Sequence, residues 1–138
     1  MNVDSIKNGI VIDHIKAGQG MNLYKLLNLD ALDCNIALIK NVPSKKMGKK
    51  DIIKIDADIK LDTDIIGYVD ADATVNIIKN GEIIEKKVIE LPEKLTNVIF
   101  CKNPRCITST EQELPHIFRL TDREKGTYRC IYCDSRAK

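Results

Sequence analysis

The sequence predicts an α+β protein in two parts: a β-α-β-β-α-β unit over residues 1–94 and a small, mostly β segment over residues 95–138. Three observations lead there. Runs rich in Ile and Val alternate with two short stretches whose apolar residues recur at helical spacing. Four of the five cysteines, both phenylalanines and two of the four tyrosines lie after residue 99. Leu91-Pro92-Glu93-Lys94 falls between the two regimes, and Pro92 ends strand pairing and disfavours helix in its predecessor.

The elements follow in order. Ile10-Val11-Ile12-Asp13-His14-Ile15 is β-branched and follows Gly9, which predicts a strand ending at Asp13 and His14. Gly18-Gln19-Gly20 is a break. Met21 to Leu29 carries Leu23, Tyr24, Leu26 and Leu27 near helical spacing and predicts a helix. Asn35 to Val42 reads as a strand stopped by Pro43, Ser44 to Lys49 as a polar loop around Gly48, and Asp51 to Asp56 as the returning strand. Asp62 is a good N-cap, with Asp64 in the first turn, for a short helix presenting Ile65, Ile66 and Val69. Ala73 to Ile78 and Ile83 to Ile89 make a second hairpin around Asn80-Gly81, a strong type I′ signal. This order, with one extra strand, is the split βαβ, ferredoxin-like arrangement. Two helices then cover one sheet face, and a second copy of the chain is expected to cover the other.

Composition narrows the function. The 138 residues hold 22 Lys+Arg against 20 Asp+Glu, a formal charge of +2, with 43% hydrophobic and 30% charged residues. That is a globular balance, with no electrostatic reason for a nucleic-acid or membrane partner. Trp is absent, which disfavours a base-stacking surface. No apolar run approaches a transmembrane span, and the start lacks a basic region followed by a long apolar stretch, so the expected location is cytoplasmic.

The cysteines carry the most specific signal. Cys101-x4-Cys106 and Cys130-x2-Cys133 stand 23 residues apart. Two short-spaced thiol pairs suit one tetrahedral Zn²⁺ in a closed Cys₄ shell, one ion per chain, with backbone amides of each tight turn pointing at sulfur. A segment this small needs such a staple. Two disulfides, four unconnected thiols and a redox dithiol at Cys130 and Cys133 are the alternatives, and a reducing compartment weighs against disulfides. With no neighbouring His, Asp or Glu to suggest an open position, the site reads as structural. Cys34, alone upstream, reads as a small hydrophobe.

Lysines form the second signal. Lys45, Lys46, Lys49 and Lys50 crowd the first hairpin, and Lys50, Ile52 and Lys54 share one strand face. Lys86 and Lys87 sit on the last strand. Together with His14, and with Asp13 free to accept from a sugar hydroxyl, they could converge as a polyphosphate pocket that is neither a P-loop nor a Rossmann site. The other reading of each lysine is a solvated surface charge. No catalytic triad, HExxH or supported carboxylate pair is present, so an enzyme is not expected. His116 reads as a surface or packing residue. A zinc-ribbon nucleic-acid module is the alternative function, resting on Arg119, Arg123, Lys125 and Arg129 beside the cysteines.

Val11-Ile12-Asp13-His14-Ile15, the stretch from Asn41-Val42-Pro43-Ser44 through Lys49-Lys50-Asp51-Ile52-Ile53-Lys54-Ile55, Ala73-Thr74-Val75-Asn76, and Leu91-Pro92-Glu93 leading into the cysteines resemble the regulatory chain of aspartate carbamoyltransferase over nearly the whole length. The resemblance implies a non-catalytic subunit. Its allosteric domain would bind CTP, UTP and ATP, and its zinc domain would contact a trimeric catalytic chain at the first committed step of pyrimidine synthesis. It implies a homodimer through the allosteric domain. It places Asp13 and Lys54 at the ribose and His14 and Lys86 at the phosphates, with Lys50 nearby. Backbone groups of Val3, Asp4, Ser5 and Ile6 would meet the base edge, and Val11, Asn76, Ile78 and Ile83 would line the pocket. Asn103 and Arg105 would face the catalytic chain.

Overall fold

The structure is a computed structural model and describes residues 6–137. The chain forms two compact units, the first ending at Glu90 and the second beginning at Leu91.

In the first unit, strand β1 (Gly9–Lys16) leads to helix α1 (Gly20–Leu26) and a 3-10 turn at Leu29–Ala31. Strands β2 (Asn35–Ser44) and β3 (Gly48–Asp56), helix α2 (Thr63–Val69), and strands β4 (Thr74–Lys79) and β5 (Glu82–Val88) follow. The sheet order is β2-β3-β1-β4-β5, with every neighbouring pair antiparallel. β1 and β2 are therefore split by β3, which is the ferredoxin-like order, and β5 is the extra edge strand. Ile10, Ile12, Ile53, Ile55 and Val75 point to the helix side and pack with Leu23 and Ile66 in one buried cluster. The strand alternation did this: residues two apart share a face, so one apolar set enters the core together. Cys34 is half-buried against the same cluster.

Several boundaries differ from the sequence expectation, each for a local reason. α1 ends at Leu26 because Asn28 turns left-handed (φ 57°), and Leu29 is then buried from the 3-10 turn. β2 runs through Pro43 to Ser44, since an edge strand tolerates a residue without an N–H. The expected six-residue loop is only Lys45-Lys46-Met47. Ser44 pairs with Gly48, the Ser44 hydroxyl accepts from Met47 N–H at 3.2 Å, and Gly48 takes φ +80°. The second hairpin is as expected, with Asn80 and Gly81 both at positive φ. Asp62 caps α2 by accepting from Asp64 N–H at 3.0 Å.

β1 does not stop at His14. Between the pairs Ile12–Ile53 and Ile15–Asp51, Asp13 and His14 oppose the single residue Ile52, a bulge with His14 at φ 58°. A second bulge lies across β3, where Lys40 and Asn41 of β2 oppose Asp51 and Asn41 takes φ 59°.

In the second unit, β6 (Lys94–Thr96), β7 (Ile117–Asp122) and β8 (Thr127–Cys130) form a three-stranded antiparallel sheet in that order, with a one-turn helix α3 (Ile107–Thr110). Leu95, Phe118 and Tyr128 are its buried large side chains. The unit takes in Leu91 to Lys94, ahead of the expected 94/95 boundary. Tyr128 donates its hydroxyl to the Pro92 carbonyl at 2.6 Å, and Leu120 N–H reaches the Glu93 carbonyl at 2.8 Å. Among the described residues, no helix is long and apolar enough to cross a membrane.

Candidate metal centre and ligand face

All four sulfurs of Cys101, Cys106, Cys130 and Cys133 lie within 4.8 Å of one another. The closest approaches join the two ends of the segment: Cys101 to Cys133 at 3.6 Å and Cys106 to Cys130 at 3.7 Å. A tetrahedral zinc with bonds of about 2.3 Å places its sulfurs about 3.8 Å apart, so the cluster has the dimensions of that shell. A redox dithiol would bring Cys130 to Cys133, and these are not the nearest partners. Nor is there a disulfide among the described residues.

The turns supply what the sulfurs need. The amide of Asn103 points at Cys101, those of Tyr132 and Cys133 at Cys130, and that of Ser135 at Cys133. Such donors stabilise thiolate and orient it for a metal. Thr108 donates its hydroxyl to Cys106 Sγ at 3.1 Å, and Ser135 Oγ lies 3.2 Å from Cys133 Sγ. Burial pushes the Cys101 thiol up to about 12 and raises Cys130 as well. The Ser135 hydroxyl, with the Ser135 amide and Asn103, outweighs burial at Cys133 and holds it down at about 6. Asp134, left-handed at φ 63°, closes the second turn, with its N–H on the Cys130 carbonyl at 2.9 Å.

Sequence reasoning missed Thr108 and Ser135, although a signal was present: each hydroxyl stands two residues after a ligand, as Cys-x-Thr and Cys-x-Ser. His116, expected as a surface or packing residue, meets Phe100 edge-on at 4.9 Å, and its Nδ1 also accepts the Cys101 N–H at 3.1 Å. Asn103 is built into the first turn. It accepts from Arg105 N–H and donates to Ser135, each at 3.0 Å, while the Arg105 side chain stays exposed.

Three arginines behind the nucleic-acid alternative are engaged with partners at the surface. Arg119 pairs with Asp134 at 3.0 Å, Arg129 donates to the Asp134 carbonyl at 3.0 Å, and Arg123 reaches the Leu91 carbonyl at 3.4 Å. They do not form a free basic stripe.

The second site lies on the sheet face away from the helices. Register sets Lys54, Val11, Asn76 and Lys86 in one cross-strand row over β3, β1, β4 and β5. Neighbouring strands are about 4.8 Å apart, so these side chains form one continuous surface. Beside the row is an open pocket of about 650 Å³ lined by Ile6, Lys7, Val11, Lys54, Ile78, Asn80, Gly81 and Ile83. Lys7 and Asn80 were not anticipated. Gly81 N–H donates to the Lys7 carbonyl at 3.0 Å, a tertiary contact with no local sequence signal. Val3, Asp4 and Ser5 lie outside the described residues.

Further along the same face, Lys50 pairs with Asp13 at 3.0 Å. Asp13 Oδ1 also accepts His14 N–H at 2.6 Å, so this carboxylate oxygen is engaged where the sequence reading had left it free. Burial alone would raise the Asp13 acid, but Lys50 and the His14 amide outweigh it and hold the group below the usual carboxylate value. His14 Nδ1 lies 3.1 Å from Thr74 Oγ1, which orients the ring. Asn76 is 9% exposed, and its Oδ1 has no hydrogen-bond partner among the described residues. A buried acceptor left unmade is costly, so this oxygen is poised for a donor from a ligand.

Comparison with known proteins places both units. Residues 1–90 match the family model for the aspartate carbamoyltransferase regulatory chain, allosteric domain, and residues 93–138 match that for its metal binding domain. Curated relatives named aspartate carbamoyltransferase regulatory chain include one from Clostridium botulinum strain Hall, 52% identical over 97% of this chain and 92% of its own. Another from Clostridium tetani is 52% identical over 97% and 94%. One from Bifidobacterium longum is 46% identical over 100% and 99%.

Proposed function

The chain belongs to the family of aspartate carbamoyltransferase regulatory chains, and from that premise we propose that its outer sheet face binds CTP, UTP and ATP as effectors while its zinc-filled metal unit holds the catalytic chain. The chain is a non-catalytic, regulatory subunit. The observation that carries the nucleotide reading is the row Lys54, Val11, Asn76 and Lys86, with the unpartnered Asn76 oxygen inside it. Two cations bracket an apolar seat and a hydrogen-bond acceptor, the mix that a heterocycle carrying a charged tail requires.

In this reading Asp13 and Lys54 meet the ribose, and His14 and Lys86 meet the phosphates with Lys50 close by. Val11, Asn76, Ile78 and Ile83 form the walls, and backbone groups from Val3, Asp4, Ser5 and Ile6 meet the base. Zinc in the Cys₄ shell supplies no chemistry. It fixes the two turns that present Asn103 and Arg105 to a catalytic trimer. A second copy of the chain pairs with the first through the allosteric domain. The nucleotide changes activity by binding one global state of the assembly more tightly than another, a coupling of about 1–3 kcal/mol.

Calorimetry of the zinc-loaded chain with CTP and ATP tests the reading. We expect micromolar-to-millimolar binding, weakened by about 1 kcal/mol or more in Lys54→Ala and in Lys86→Ala through lost charge-assisted bonds. No heat with either nucleotide overturns it. Sedimentation with a carbamoyltransferase catalytic trimer, with and without zinc, tests the docking half.

A further inference from the structure

Asp51 is a fully buried carboxylate that no part of the proposed function uses: its side chain lies on the helix side of β3 at 0% exposure. Burying a charge is expensive unless donors surround it. Three backbone N–H groups do so here. Oδ2 accepts from Gly18 at 3.1 Å and from Gly20 at 3.0 Å, and Oδ1 accepts from Asn41 at 3.0 Å. These donors come from three places: the turn after β1, the first residue of α1, and the left-handed residue of the β2 bulge. Each is an N–H the regular ladder or helix leaves without a partner. A Cβ at Gly20 would stand 2.8 Å from Asp51 Oδ2, so any larger residue there must push the carboxylate aside.

Position is what gives this arrangement a functional consequence. The two bulges fall opposite Asp51 and Ile52, on both sides of the same stretch of β3. One bulge contains Asp13 and His14. The residue before Asp51 is Lys50, which reaches Asp13 on the opposite face at 3.0 Å. The carboxylate thus ties the neighbours of β3 from below at the level where Lys50, Asp13 and His14 assemble above.

We propose that Asp51 is a positioning residue for the phosphate end of the nucleotide site, acting through the paired bulges and through the backbone of Lys50. The proposal rests on the nucleotide reading and adds a residue to it. Asp51 touches no ligand and sets the spacing of the groups that do.

The test uses the full zinc-loaded chain and compares wild type with Asp51→Asn, which keeps the shape but can offer only one acceptor oxygen. Binding of CTP and of cytidine is measured by calorimetry well below each protein's melting temperature. CTP affinity should fall about tenfold, the equivalent of one lost charge-assisted bond, while cytidine affinity stays within about twofold. Equal losses for CTP and cytidine, or no loss for either, overturn the proposal and leave the nucleotide site standing. Absence of CTP binding by the wild type overturns both. Should Asp51→Asn fail to fold, Gly20→Ala carries the same comparison, since it crowds Oδ2 while keeping the charge.

Discussion

Replacing Thr108 by valine isolates one interaction at the metal centre. The hydroxyl is 3.1 Å from Cys106 Sγ, Thr108 is 4% exposed and Cys106 is 1% exposed. Valine has nearly the same shape, so no cavity opens, and water cannot reach in to replace the donor. With metal bound, Cys106 is a thiolate, which makes the bond charge-assisted. Such bonds contribute about 1.5–3 kcal/mol, so metal affinity should fall roughly ten- to a hundredfold. Competition with a chromophoric chelator at pH 7 reads this directly. Ser135→Ala is the internal control. Its hydroxyl is equally close to Cys133 but half-exposed, so solvent substitutes and the loss is smaller. Identical chelator competition by Thr108→Val and wild type would refute the reasoning.

Metal removal should act on one unit only. Excess chelator should collapse the amide dispersion of residues 91–138, whose sheet buries few large side chains besides the ligands, and leave the five-stranded sheet folded. Survival of the β6-β7-β8 resonances after full metal loss would contradict this. Proton release gives a further check. Once the metal-free unit has unfolded, its four thiols are free side chains whose ordinary value, about 8.5, keeps them protonated at pH 7. Metal binding at pH 7 should therefore release close to four protons, and affinity should weaken by up to about 10⁴-fold per unit as pH falls. Calorimetry in buffers of different ionisation enthalpy counts them, and release of fewer than three would refute the assignment.

Much of this was legible in the chain itself. Strand alternation in Ile10 to Ile15 and Asp51 to Asp56, the Asp62 cap and the Asn80-Gly81 turn are local signals, and each produced the element it indicated. The cysteine spacing announced the metal centre because its ligands come in pairs a few residues apart. The row of Lys54 and Lys86 around Val11 and Asn76 followed from the resemblance, and register then brought it onto one face.

What sequence alone determined is therefore local: the period of each strand, the caps and turns, and the thiol pairs. Tertiary structure decided the rest. Asp51 shows why, since nothing near it in sequence reveals that Gly18, Gly20 and Asn41 will each need an acceptor. Those needs arise only when two bulges and a helix start converge on one strand, and a buried carboxylate is stable only once they have done so.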